Sequence, residues 1–273
     1  MRTVLICHED AALDREGLGR WLASFSDLVG IIVLREKKEQ LWRRSKREWK
    51  RIGGFRFIDV LAFRLYYKLF LAANDRTWMK REEQRLAAKY AAIPASTKIL
   101  HIHSPNTAEA KEFLRALRPD IILARCKFIL KEEIFTVASL GTFVMHPGVC
   151  PEYRNAHGCF WALSHRDLNK VGMTLLKIDK GIDTGPVYGY YTYDYDEVNE
   201  SHIVIQYRVT FENLEQMEKR FREIAEGKAA TLDTSGRRSG TWGQPWLSAY
   251  VKWKAIARRR KREGALDPVP RRH

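Results

Sequence analysis

No stretch of the 273-residue sequence is apolar and long enough to cross a bilayer. The most apolar stretch, residues 55–73, is interrupted by Arg56, Asp59, Arg64 and Lys68, whereas a spanning helix needs about 20 mostly uncharged residues. The opening MRTVLICHED has no apolar core followed by a small-residue cleavage site, so no secretory leader is expected. Cysteine is scarce. Cys7, Cys126, Cys150 and Cys159 form no CxxC pair, which fits reduced, packed thiols in place of a disulfide framework. These absences predict a cytoplasmic protein. His101/His103 and His157/Cys159 stand without a second chelating pair at zinc-site spacing, so no metal is expected.

Hydrophobic residues make up 45% of the chain, enough for a globular core. The formal charge is +15 and is unevenly spread. Residues 35–51 hold nine Lys/Arg against three Glu, and residues 252–273 hold nine Lys/Arg against Glu263 and Asp267. Two basic patches on a nearly neutral remainder suit an anionic partner (nucleic acid, acidic lipid or charged substrate) or two solvated helix faces.

Thr3–Cys7 and Leu28–Leu34 are continuous apolar runs flanking a helical pattern at 12–25. Runs of that kind predict a parallel sheet covered on both faces. Residues 35–93 interrupt the rhythm with a basic, aromatic, helix-forming segment, expected as an inserted helical hairpin. Its amphipathic part, 55–73, is expected to pack on the core, with a membrane surface or a partner as the alternatives. The alternation then resumes. Strands are expected at 98–102, 120–124, 142–146, 171–178 and 187–195, the last antiparallel. Asn106 and Glu109 suggest a capping box for a helix through Leu117, and Ser201–Glu226 is expected as one long helix. The division is an α/β domain over 1–200 and a helical extension with a basic tail over 201–273.

Two segments carry chemistry: MHPGVCPEYRNAHGCFWAL at 145–163 and VGMTLLKIDKGIDTGPV at 171–187. His146 ends a predicted strand beside a Pro-Gly turn, where ligands of open parallel sheets bind and where an imidazole can pass a proton near neutral pH. Asp183 sits in a Gly-Ile-Asp-Thr-Gly-Pro turn. His146-Pro147, Pro151, Tyr153-Arg154 and Asp183-Thr184-Gly185 resemble, in order and spacing, the motifs of the formyltransferase family. Residues 119–130 resemble that family's folate-contacting loop. The resemblance implies a Rossmann-like, mostly parallel α/β fold and 10-formyltetrahydrofolate as formyl donor. It also implies that His146 stabilises the oxyanion and Asp183 manages the amine proton. Arg125, Cys126 and Lys127 would contact the folate, largely through backbone, and Asp179, Gly181 and Ile182 would also contribute to its site.

One departure matters. The family has Asn two residues before the histidine, and this chain has Val144. Losing such a donor typically costs about 2.7–4 kcal/mol. Thr142, on the same strand face as His146, and Asn155, His157 and Asn106 from loops are the candidate substitutes. The turn after the first strand, HEDAALDREG, lacks the phosphate-cradling loop of the family's glycinamide ribonucleotide enzymes, which disfavours the purine acceptor. A small-molecule amine such as an amino-sugar is the favoured acceptor and tRNA the lesser one. A 10-formyltetrahydrofolate hydrolase and a non-catalytic binding protein remain as alternatives. The oligomeric state is not legible.

Overall fold

The computed structural model describes residues 1–36, 46 and 48–264. Lys37, Lys38, Arg43, Arg44 and Arg47 of the first basic patch lie outside the described residues, as does the tail beyond residue 264. Nine strands are described: β1 (Arg2–His8), β2 (Asp27–Leu34), β3 (Lys98–Ile102), β4 (Ile121–Arg125), β5 (Gly141–His146), β6 (Arg154–Asn155), β7 (Met173–Lys177), β8 (Val187–Tyr191) and β9 (Thr241–Trp242). Seven form one sheet in the order β3-β2-β1-β4-β5-β7-β8. The first five of these are parallel, and β7 and β8 are antiparallel. β6 and β9 make a separate parallel pair.

Both faces of the sheet are covered. In β1, Val4 and Ile6 point to a cluster with Ile32, Leu34 and helix α4, whereas Leu5 and Cys7 point to the larger cluster on the other face. Strands buried on two faces need apolar residues at every position, which is why these runs do not alternate.

The helices are α1 (Gly19–Phe25), α2 (Gly54–Tyr66), α3 (Ala72–Lys89), α4 (Ala108–Leu117), α5 (Glu132–Phe135), α6 (Gly158–Ser164), α7 (His202–Phe211), α8 (Leu214–Ala225) and α9 (Leu247–Arg262). A π-helical turn, Leu13–Leu18, leads into α1, and another, Tyr67–Leu71, joins α2 to α3. Residues 54–89 are thus one helical run. Thr107, not Asn106, caps α4: its hydroxyl accepts from the Ala110 N–H at 3.2 Å. The Asn106 amide instead clasps the neighbouring loop, donating to the Ile129 carbonyl and accepting from the Lys131 N–H. The long helix expected over 201–226 breaks before α8. There the buried Asn213 amide donates to the carbonyls of Val209, at 2.7 Å, and Thr192, at 3.0 Å. A side chain that bonds nearby carbonyls competes with the helical ladder.

Helices α7–α9 are not a detached appendage. Val209, Met217, Phe221, Trp253 and Ala257 lie in the same core cluster as Leu5, Phe143 and Met145.

Candidate active site

His146 is the last residue of β5, and two glycines shape the turn beyond it. A Cβ on Gly148 would lie 2.5 Å from the Tyr153 carbonyl oxygen and 2.9 Å from His146 Nε2, and one on Gly158 would lie 2.5 Å from the Gly148 Cα. Only glycine permits that approach. Thr174, on β7 opposite His146, pins the same turn: its hydroxyl donates to the Gly148 carbonyl at 2.6 Å and accepts from the Cys150 N–H at 3.0 Å.

Both ring nitrogens of the buried His146 face protein groups. Nε2 stands 2.6 Å from the Tyr153 carbonyl. A carbonyl only accepts, so Nε2 carries a hydrogen. Nδ1 stands 3.4 Å from Asp183 Oδ2. Asp183 keeps some exposure and is the solvent-facing end of the pair. Its carboxylate also accepts from the Asn155 N–H at 2.8 Å.

Three non-glycine residues here have left-handed backbone: Asn155 (φ 78°), His157 (φ 54°) and Asp183 (φ 51°). Such conformations persist where the surroundings over-determine them, commonly at functional sites. The surroundings are visible. Arg154 donates to the Ile182 carbonyl at 2.9 Å and to the Thr241 hydroxyl at 3.1 Å, and the Asn155 amide donates to the Trp242 carbonyl. Pairing of β6 with β9 therefore holds the site loop against the C-terminal segment. Nothing in the motifs announced Thr241 and Trp242.

Cys150 lies close by. Burial first, and then the Asp183 carboxylate, push its thiol well above the ordinary range, so it is a neutral packing group and not a nucleophile. The half-buried His157 packs beside His202, ring centroids 5.8 Å apart. Burial pushes His157 down to about 4 and His202 well below its ordinary value. The Nδ1 atoms of both rings and Gln206 Oε1 are buried without a hydrogen-bond partner among the described residues.

The other expected site residues divide. Thr142 is not brought to the site: it lies four residues back along β5, roughly 13 Å at the strand rise, and its hydroxyl donates to the Phe135 carbonyl. Asn106 is occupied by the loop it clasps. Arg125 turns inward, its guanidinium donating to Asp14 at 3.2 Å and to the Met145 carbonyl at 2.8 Å. The Cys126 thiol donates to the Phe128 carbonyl, and the Lys127 N–H donates to His8 Nε2. Asp179 accepts from the Gly181 N–H and the Thr184 hydroxyl, closing its own turn. Ile182 and Ile129 are exposed. Lys180 meets Glu132 at 3.1 Å, tying the 178–184 loop to the element that follows the 125–130 loop. Val144 sits in an apolar patch with Cys150, Leu176, Val187 and Tyr190.

A formyl transferase family model matches residues 70–223, more than half of the chain. The methionyl-tRNA formyltransferase of Thermotoga maritima is 32% identical over 126 residues, covering 45% of this chain and 35% of that protein. The match thus spans about a third of that relative's length. The structure of glycinamide ribonucleotide transformylase 1 from Symbiobacterium toebii superposes with a TM-score of 0.53 at 14% identity, over 88% of this chain and 92% of that one. A sugar N-formyltransferase from a Shewanella species gives 0.52 at 10% identity, over 93% and 87%. At such identities the likeness is one of fold: a Rossmann-like, mostly parallel sheet with a C-terminal helical region. The family-model match and the shared fold together make this chain a member of the formyl transferase family.

Proposed function

We propose that the chain transfers a formyl group from 10-formyltetrahydrofolate to the amine of a small metabolite, an amino-sugar or nucleotide-linked sugar. The observation that carries this is the His146–Asp183 contact at 3.4 Å, with Asp183 partly exposed and held by the Asn155 N–H. The folate is assigned to the 125–130 and 178–184 loops, which the Lys180–Glu132 pair ties together. There the exposed Ile129 and Ile182 offer apolar surface to a flat ring, and the nearby backbone offers polar edges. When bound, the folate supplies the formyl carbonyl.

The rest is the work of the chain's own residues. An attacking amine must lose a proton, and Asp183 is the partly exposed base placed to take it. His146, hydrogen-bonded to Tyr153, presents its Nδ1 to that carboxylate. Arg154 places a cation nearby, fixed by Ile182 and Thr241. With Val144 packed among apolar side chains, the Arg154 guanidinium is the charge that takes over the electrostatic role of the missing asparagine.

Curated relatives named methionyl-tRNA formyltransferase support a second reading, in which the amine is carried on tRNA.

One assay tests both. Purified protein is given 10-formyltetrahydrofolate with amino-sugars, nucleotide-linked amino-sugars or methionyl-tRNA, and formylated product and free formate are followed by mass spectrometry. The proposal expects formylation of one small amine, abolished in Asp183→Asn. Formate release without an acceptor would establish the hydrolase instead. Failure of a well-folded protein to bind a stable folate analogue by calorimetry would overturn the reading.

A further inference from the structure

Helix α2 and the turn after it bury one side and leave the opposite side apolar and uncovered. Val60 and Phe63 enter the core. Phe63 packs on Phe160 and on Tyr250 of α9. On the far side Phe55, Ile58, Leu61, Leu65 and Leu69 are each between 45% and 91% exposed. They recur at spacings of three and four, which aligns them in one stripe about 21 Å long. Scattered exposed leucines are ordinary, whereas a contiguous apolar stripe marks an interaction surface.

Charge identifies what the stripe meets. The two acidic groups between residues 54 and 76 are engaged by other segments of the protein: Asp59 accepts from the Ser248 N–H at 3.0 Å, and the buried Asp75 accepts from the Ser201 hydroxyl at 2.8 Å. The exposed charges left along residues 54–76 are basic: Arg56, which lies over the Trp246 ring, and Arg64, Lys68 and Arg76. α9 runs alongside in the same direction. Ser248 meets Asp59, Tyr250 meets Phe63 and Tyr66, and Arg258 shares a cavity with Leu71 and Asn74. Its basic end lies near the C-terminal end of α2 but on the buried side, where Arg260 pairs with Glu197 and Arg259 with Glu263, so the charge flanking the stripe comes from α2 and α3 themselves. A helix with an exposed apolar stripe, basic flanks and acids engaged by other segments has the makeup of one that lies in a membrane interface. A second copy is a poorer fit, because pairing the stripe with itself brings like charges together on chains of formal charge +15. Nucleic acid would not reward five bare hydrophobic side chains. No helix among the described residues is long and apolar enough to cross a membrane.

We infer that the α2 stripe docks this protein, in the membrane plane, onto an anionic lipid surface. The full chain is floated with vesicles of phosphatidylcholine alone and with vesicles enriched in phosphatidylglycerol. Binding is expected to the second kind only and to weaken with salt. Leu61→Ser with Leu65→Ser is expected to lower partitioning roughly tenfold or more at unchanged melting temperature, since both side chains are exposed. Arg64→Gln with Lys68→Gln is expected to lower it and to reduce its salt dependence. If the first pair should unfold, Ile58→Ser with Leu69→Ser tests the same stripe. The inference is overturned if wild-type protein ignores phosphatidylglycerol vesicles at low salt, or if folded stripe variants bind as wild type. It is overturned equally if sedimentation shows a dimer that the stripe variants dissociate.

Discussion

Asp183 is held by Asn155: the Asn155 N–H donates to Asp183 Oδ2 at 2.8 Å, and both residues adopt left-handed backbone. The contact reaches across 28 residues of sequence and joins the two motif segments. It presents to His146 a carboxylate whose position does not depend on His146 itself.

Replacement of Asp183 by Asn therefore separates chemistry from folding. The amide oxygen still accepts from Asn155, but the side chain no longer takes a proton. The melting temperature should move little, whereas kcat should fall by about a hundredfold to ten-thousandfold, the usual weight of a general base. Single-turnover formylation measures it. A variant retaining more than a tenth of wild-type kcat would exclude Asp183 as the base.

Gly148→Ala should act through geometry. The added methyl would lie 2.5 Å from the Tyr153 carbonyl, the partner of His146. Backbone must shift to relieve it, at a cost of about 1–3 kcal/mol. Denaturant unfolding should show that loss, and kcat should fall with it because the His146 ring is displaced.

Arg125 and Asp14 form a nearly buried ion pair, their side chains 11% and 7% exposed. Arg125→Met leaves Asp14 without its guanidinium, and stability should fall by about 3–5 kcal/mol. The double variant Asp14→Leu with Arg125→Met should recover much of that loss. Urea unfolding of the three proteins closes the cycle, and a single variant as stable as wild type would refute the pair's importance.

His157 and His202 set an acid limit on stability. Their folded values are depressed, His157 to about 4 from an ordinary 6.5. Between those values the unfolded chain binds more protons than the folded one, so stability rises with pH through this window and is lost as pH falls from about 6.5 toward 4. Each ring adds at most about 1.4 kcal/mol per pH unit, less for the half-buried His157. Chemical denaturation across that range should show the slope, and His202→Gln should flatten it.

Much of the fold was legible in the sequence. Val4–Cys7 and Ile31–Leu34 are buried from both sides, and only an uninterrupted apolar run satisfies that. The spacing of His146 and Asp183 was legible as well, because their motifs are local turns set by glycine and proline. Thr142 was misplaced because period-2 alternation names a face of the sheet but not a depth along the strand. Asn106 lost the α4 cap to Thr107, and Asn213 broke an expected helix, because each amide found carbonyls or N–H groups supplied by distant segments. Residues 55–73 meet the core through Val60 and Phe63 while the opposite stripe stays exposed: amphipathicity shows that a helix has an apolar face, but the neighbours decide how much of it is covered. The sequence by itself determined which residues are buried in strands and where the glycine- and proline-bearing motif turns lie, since both follow from local periodicity and backbone freedom. Tertiary structure alone decided that Trp242 would hold Asn155, that Asp14 would neutralise Arg125 and that Ile58 to Leu69 would face outward, since each depends on segments brought together only when the chain packs.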